Sequence, residues 1–160
     1  VSRPARVFVG EVWPHALEAS RKTGIPPQFM VAQAALETGW GQKQLRNPDG
    51  SPSHNLFNIK AGSAWKGDTV AREVTEYANG QAYTEPARFR AYGSYAESFR
   101  DYASLMTRSP RYADVLGQTD PAGFARSLQD AGYATDPMYA DKLTRIIGGN
   151  TLRNALALAG

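Results

Sequence analysis

Apolar residues recur at helical spacing near the start of the chain, at Val9, Val12, Trp13, Ala16 and Leu17. The pattern predicts a helix over Arg3–Gly24 that Pro14 should kink or reset, because proline removes a backbone donor. Gly24 stops it, and Pro26-Pro27 opens a second helix, since proline is tolerated in a first turn. This second helix, Pro27 to about Thr38, is apolar on nearly every side through Phe29, Met30, Val31, Ala32, Ala34, Ala35 and Leu36. Such a helix is normally buried. Gly39 and Gly41 end it, and residues 42–66, rich in Asn, Pro, Gly and Ser, read as a long ordered loop.

The period then changes. Asp68–Tyr77 and Gln81–Tyr92 are β-prone and flank Asn79-Gly80, the strongest short-range hairpin signal. From Ser94 the helical period returns, with Tyr95, Phe99, Tyr102, Leu105 and Met106 in one stripe. Two more helices are expected over Pro121–Ala131 and Pro137–Ile147, capped by Asp120 and Asp136 ahead of their prolines. Thr151–Gly160 reads as a short helix or a frayed tail. A mostly helical chain with one inserted hairpin falls in the α+β class.

Composition narrows the function. The chain has 160 residues, which suits a single domain spanning 1–160, as domains usually hold ~100–200 residues. An apolar content of 42% excludes a disordered chain. No apolar run reaches the ~18–20 residues of a membrane span. With no Cys, disulfides, thiolate nucleophiles and Cys-ligated zinc are all removed. The chain begins with Val1 and no signal pattern follows, so an excised domain of a longer chain is expected. The net charge of +3 comes without a Lys/Arg run or a nucleic-acid module, so a mixed-sign surface and no nucleic-acid partner are expected. Eight Tyr and three Trp offer flat rings that suit sugar faces as well as cores.

There is no phosphate-binding glycine loop and no Gly-x-Ser-x-Gly elbow. His15 and His54, the only histidines, fit no metal motif, so neither metal nor cofactor is expected. Carboxylates and tyrosines are left to carry chemistry. Glu37 breaks two local rules. It is a polar residue on the apolar second helix, four residues from Gln33, and it sits where the helix dipole disfavours a negative charge. Both features raise its pKa, as a general acid requires. Glu73 and Glu76 lie on opposite faces of the first strand, so at most one points at a given cleft. Considered alone they read as a solvated face, Tyr133 and Tyr139 as packing residues, and Trp40 and Trp65 as core or sugar platforms.

Four segments appear in order: Ala34-Ala-Leu-Glu-Thr-Gly-Trp-Gly41, Asn55-Leu-Phe-Asn-Ile-Lys60, Thr75-Glu-Tyr-Ala-Asn-Gly80 and Ala131-Gly-Tyr-Ala-Thr-Asp-Pro-Met-Tyr139. Together they resemble the glucosaminidase domain of glycoside hydrolase family 73, in particular its members in flagellar proteins. One departure is Asn58, where the family usually has Gly; Asn tolerates left-handed backbone angles better than most residues. The resemblance implies a lysozyme-like fold in which a helical lobe and a β-lobe wall a glycan groove. It implies cleavage of the β-1,4 bond between N-acetylglucosamine and N-acetylmuramic acid in peptidoglycan, in the bacterial periplasm, opening the wall for flagellar rod assembly. Flagellar rod proteins would then be partners through segments outside this chain.

Carried over by motif, Glu37 is the general acid, Glu76 the second carboxylate and Tyr133 a residue of the cleft. Trp40, Asn55, Phe57, Lys60, Trp65 and Tyr139 are the implied substrate-binding or cleft-supporting residues. Three routes stay open once Glu37 protonates the glycosidic oxygen. Glu76 serves as base toward water, or as nucleophile, or the substrate's N-acetyl group attacks with Tyr133 in support. The rival functions are a lytic transglycosylase of the same fold and a non-catalytic wall-binding or flagellar scaffold module. A lone hairpin is marginally stable, so Glu76 is expected to stand away from Glu37 until glycan closes the ribbon.

Overall fold

The computed structural model describes residues 2–159. Helix α1 (Arg3–Thr23) begins at Ser2, whose Oγ accepts a hydrogen bond from the Ala5 amide, and ends at Gly24 in the left-handed region. It continues through Pro14, which does not reset it. The carbonyl that Pro14 leaves without a donor is that of Gly10, and both residues face solvent, where water satisfies it. The buried stripe Val9, Val12, Ala16 and Ala19 holds the helix in place on its other side.

Helix α2 (Pro27–Thr38) is the central element, buried at Phe29, Met30, Val31, Ala32, Gln33, Ala34 and Ala35. Helix α3 (Tyr95–Arg108), capped by Ser94, buries Phe99, Tyr102 and Met106. A 3₁₀ turn over Pro110–Val115 follows, which the sequence pattern did not reveal. Helix α4 (Pro121–Asp130) is capped by Asp120, as expected. Helix α5 (Tyr139–Ile147) starts two residues later than expected. Asp136 accepts from the Met138 amide at 2.8 Å and closes a turn ahead of the helix instead of capping it. The tail forms the first of its two expected states, a short helix α6 (Asn150–Ala159); Val1 and Gly160 lie outside the described residues. Helices α1 and α5 pack on α2, while α3 and α6 pack on α1.

Strands β1 (Thr69–Ala78) and β2 (Gln81–Arg90) pair antiparallel, with Glu76 opposite Tyr83 and Val70 opposite Phe89. Asn79 and Gly80 turn the chain with φ of 53° and 76°, the left-handed pair that suits a two-residue hairpin. The ribbon does not stand alone. The Ala61 amide donates to Arg88 and the Arg90 amide to Ile59, so residues 59–61 run alongside β2. Among the described residues no helix is long and apolar enough to cross a membrane.

Candidate active site

The last turn of α2 carries Glu37 to the edge of a cleft of about 530 Å³, lined also by Asn58, Lys60, Glu76, Arg111 and Tyr133. The carboxyl meets only neutral donors. Tyr139 Oη donates to Oε2 at 2.7 Å and Asn58 Nδ2 donates to Oε1 at 2.9 Å. Burial raises its pKa from 4.5 to about 7 against the opposing pull of those two bonds. Behind Tyr139 stands Gln33, 0% exposed, whose Nε2 donates to Tyr139 Oη at 3.0 Å while its Oε1 accepts from Tyr102 Oη. Burial and the nearby Glu37 hold the Tyr139 phenol well above its usual range, so it stays a donor to the carboxylate. The four-residue spacing of Gln33 and Glu37 thus builds one hydrogen-bonded column.

Glu76 reaches the same cleft from β1, although it is only 9% exposed. Lys60 Nζ sits 2.7 Å from its Oε1, and Thr135 Oγ1 donates to its Oε2 at 2.5 Å. Burial pushes its pKa up, but these two bonds and the lysine charge outweigh it and leave the pKa below the ordinary value. Thr135 Oγ1 also accepts from the Tyr77 amide at 3.0 Å, tying β1 to the segment between α4 and α5. The hairpin that bears Glu76 is exposed along most of its length, yet it is moored through Thr135 on one strand and through residues 59–61 on the other. Glu73, on the opposite face, is exposed.

The remaining expected residues divide. Lys60 and Tyr133 line the cleft. The Tyr133 hydroxyl is turned away from substrate space and donates to the Phe57 carbonyl at 2.6 Å. Tyr139 is buried and touches Glu37, so it positions the acid.

Phe57 is a correction: its ring is 0% exposed, stacked on Tyr102 at 4.0 Å and edge-on to Phe99 at 5.0 Å, as a core residue. Asn55 is another. It is 1% exposed, and it donates to the Ile59 and Arg90 carbonyls while accepting from the Ile59 amide, clamping the loop to β2. Trp65 does not line the cleft; it donates to the Asp68 carbonyl and lies under the Arg90 guanidinium, 4.8 Å away. Trp40, half-buried against the core, does not line it either. The 3₁₀ turn brings in Arg111 and Tyr112, which the sequence reading missed, and Thr135 was also passed over. Among the described residues, no group of three His, Cys, Asp or Glu side chains is placed to hold a metal ion.

A helical lobe and a β-lobe that meet over two carboxyl groups of opposite electrostatic character form a lysozyme-like arrangement. More particularly, the chain belongs to the glucosaminidase family: residues 13–152 match the model described as mannosyl-glycoprotein endo-beta-N-acetylglucosaminidase. It is 48% identical over 143 residues to the peptidoglycan hydrolase FlgJ of Escherichia coli (strain K12), covering 89% of this chain and 46% of that one. It is 35% identical over 147 residues to the exo-glucosaminidase LytG of Bacillus subtilis (strain 168), covering 89% and 50%. The crystal structure of a peptidoglycan hydrolase mutant from Sphingomonas sp. A1 matches with a TM-score of 0.92 at 58% identity, across 95% of this chain and 98% of that one. The chain spans about half the length of the curated relatives it matches.

Proposed function

We propose that this domain is a peptidoglycan hydrolase, an endo-β-N-acetylglucosaminidase that cuts between N-acetylglucosamine and N-acetylmuramic acid. The observation that carries the reading is the pair of carboxyl groups in one cleft, Glu37 raised to about 7 and Glu76 lowered beside Lys60. Near neutral pH the first is in large part protonated and the second is ionised. Glu37 gives its proton to the glycosidic oxygen as the bond breaks, and the Tyr139 and Asn58 donors steady the carboxylate that results. Glu76 withdraws a proton from the attacking water. Each of its oxygens accepts one hydrogen bond, from Lys60 and from Thr135, and keeps a further lone pair free to take that proton. Tyr133 walls the cleft beside the reacting sugar, and the ammonium of Lys60 keeps Glu76 charged. A relative named a peptidoglycan hydrolase supports a cell-wall substrate, and the setting proposed for it here is the bacterial periplasm, where the domain would open the wall for flagellar rod assembly and rod proteins would be met by segments outside this chain.

The test is digestion of purified sacculi by the wild-type domain and by Glu37→Gln, with analysis of the new ends. A new reducing N-acetylglucosamine end, formed with inversion and lost in the folded variant, is expected. An anhydro-muramic end would make the domain a lytic transglycosylase, and unchanged solubilisation by Glu37→Gln would remove Glu37 from the chemistry.

A further inference from the structure

Three cations line the cleft, and two of them are matched by carboxylates: Lys60 by Glu76 at 2.7 Å and Arg90 by Asp101 at 2.8 Å. The third, Arg111, makes no ion pair among the described residues. It is nonetheless held in place. Its Nε donates to the Ala131 carbonyl at 3.0 Å and its Nη2 to the Gly132 carbonyl at 3.3 Å. Its guanidinium carbon lies 5.3 Å from the centre of the Tyr112 ring. Gly132 has a φ of +79°, which favours glycine, and a Cβ there would stand 2.8 Å from Nη2, so a side chain at this position would push the tip of the guanidinium aside.

A guanidinium carries five N–H donors, and two carbonyl bonds leave others free. An exposed, oriented fork with no carboxylate of its own is built to take one from a ligand. The segment that fixes Arg111 also carries Tyr133, so the free charge lies beside the wall of the reacting groove.

We propose that Arg111 binds a carboxylate on the 3-O substituent of N-acetylmuramic acid and so distinguishes muramic acid from glucosamine in the sugar next to the cut. The inference rests on the peptidoglycan reading above. Two carboxylate sources share this chemistry, the free lactyl group of a peptide-stripped strand and the acidic residues of an attached peptide stem.

The experiment measures dissociation constants for Glu37→Gln and for Glu37→Gln/Arg111→Gln, each against three tetrasaccharides. One carries peptide stems, one carries free lactyl carboxylates, and the third is uncharged chitotetraose. Removing Arg111 should weaken at least one carboxylate-bearing glycan about tenfold, the order of a lost charged hydrogen bond, with chitotetraose changed less than about twofold. The weakened glycan identifies the source. Arg111→Lys in the same background should recover part of the loss, since it restores charge without the fork. Equal weakening of all three glycans would mean that Arg111 only props the Ala131–Gly132 carbonyls, and would overturn the assignment, as would no weakening at all. A Glu37→Gln parent that binds none of the three would instead overturn the peptidoglycan reading, and this inference with it.

Discussion

Two carboxyl groups share one cleft, and their surroundings treat them in opposite ways. Glu37 sits at the carbonyl end of the most apolar helix, and every hydrogen bond it receives comes from a neutral group, Tyr139 or Asn58. Glu76 sits on a strand of an otherwise exposed ribbon, yet it too is buried, and one of its donors is a lysine. Desolvation is the largest influence on both. Two differences set the direction: the Glu37 carboxyl is the more heavily desolvated and meets only neutral donors, whereas the less desolvated Glu76 carboxyl gains a full cation and a short hydroxyl bond. Environments that push two carboxyls apart in this way separate an acid from a base on one scaffold.

Breaking the comparison at Glu37 should have the largest effect. Glu37→Gln keeps the shape of the side chain but cannot give a proton, and general acid catalysis accounts for roughly 10²–10⁴-fold. Breaking it at Glu76 should cost less, on the order of 10²-fold for Glu76→Gln, because water is still delivered to an open groove. Steady-state release of reducing ends from sacculi measures both. A Glu76→Gln loss larger than that of Glu37→Gln would reverse the ranking of the two groups.

Tyr133→Phe comes next. Its hydroxyl is committed to the Phe57 carbonyl, and the ring forms the wall. Losing one structural hydrogen bond should lower the rate by no more than about tenfold. A fall of about 10²–10³-fold, the size seen when a transition-state donor is removed, would show that the hydroxyl swings from Phe57 to the substrate during reaction.

The contrast between the two carboxyls was half legible in the sequence. Glu37 stood out because a carboxylate on an all-apolar helix violates both burial and dipole preferences, and violations of local rules gather at functional sites. Glu76 did not stand out, since an alternating strand with Glu73 and Glu76 looks like any solvated face. Its burial depends on Lys60 and Thr135, 16 and 59 residues away, and no local pattern reports such contacts. Phe57 and Asn55 fell inside a resembling motif, but a motif records which residues recur and not whether they face solvent or core; both turned inward. The helices and the Asn79-Gly80 turn were readable because period and turn chemistry are local. The 3₁₀ segment at Pro110–Val115 was not, since two tight turns over six residues leave too short a pattern.

The smallest effect expected is also the sharpest test of the account of Glu37. Asn58 has a φ of 50°, which Gly adopts freely, so Asn58→Gly should leave the backbone in place while deleting one donor to Glu37. That donor lowers the pKa, so its removal should raise Glu37 above about 7. A general acid works only while protonated, and the rate falls as pH rises through its pKa; the alkaline limb of the pH–rate profile should therefore move to higher pH in Asn58→Gly. Stability must follow the same sign. Because folding raises the pKa from 4.5, the folded state holds the proton more tightly than the unfolded chain does. Stability from this group is full below pH 4.5 and falls as pH climbs to about 7, where the loss levels off. A shift of this size is worth on the order of 3 kcal/mol, an upper figure for a carboxyl at a cleft edge. Glu37→Gln, which has no charge to bury, should thus gain in Tm over the wild type at pH 8 and show little advantage at pH 4. Equal Tm differences at the two pH values would mean that Glu37 is not desolvated, and the distinction between the two carboxyls would lose its physical basis.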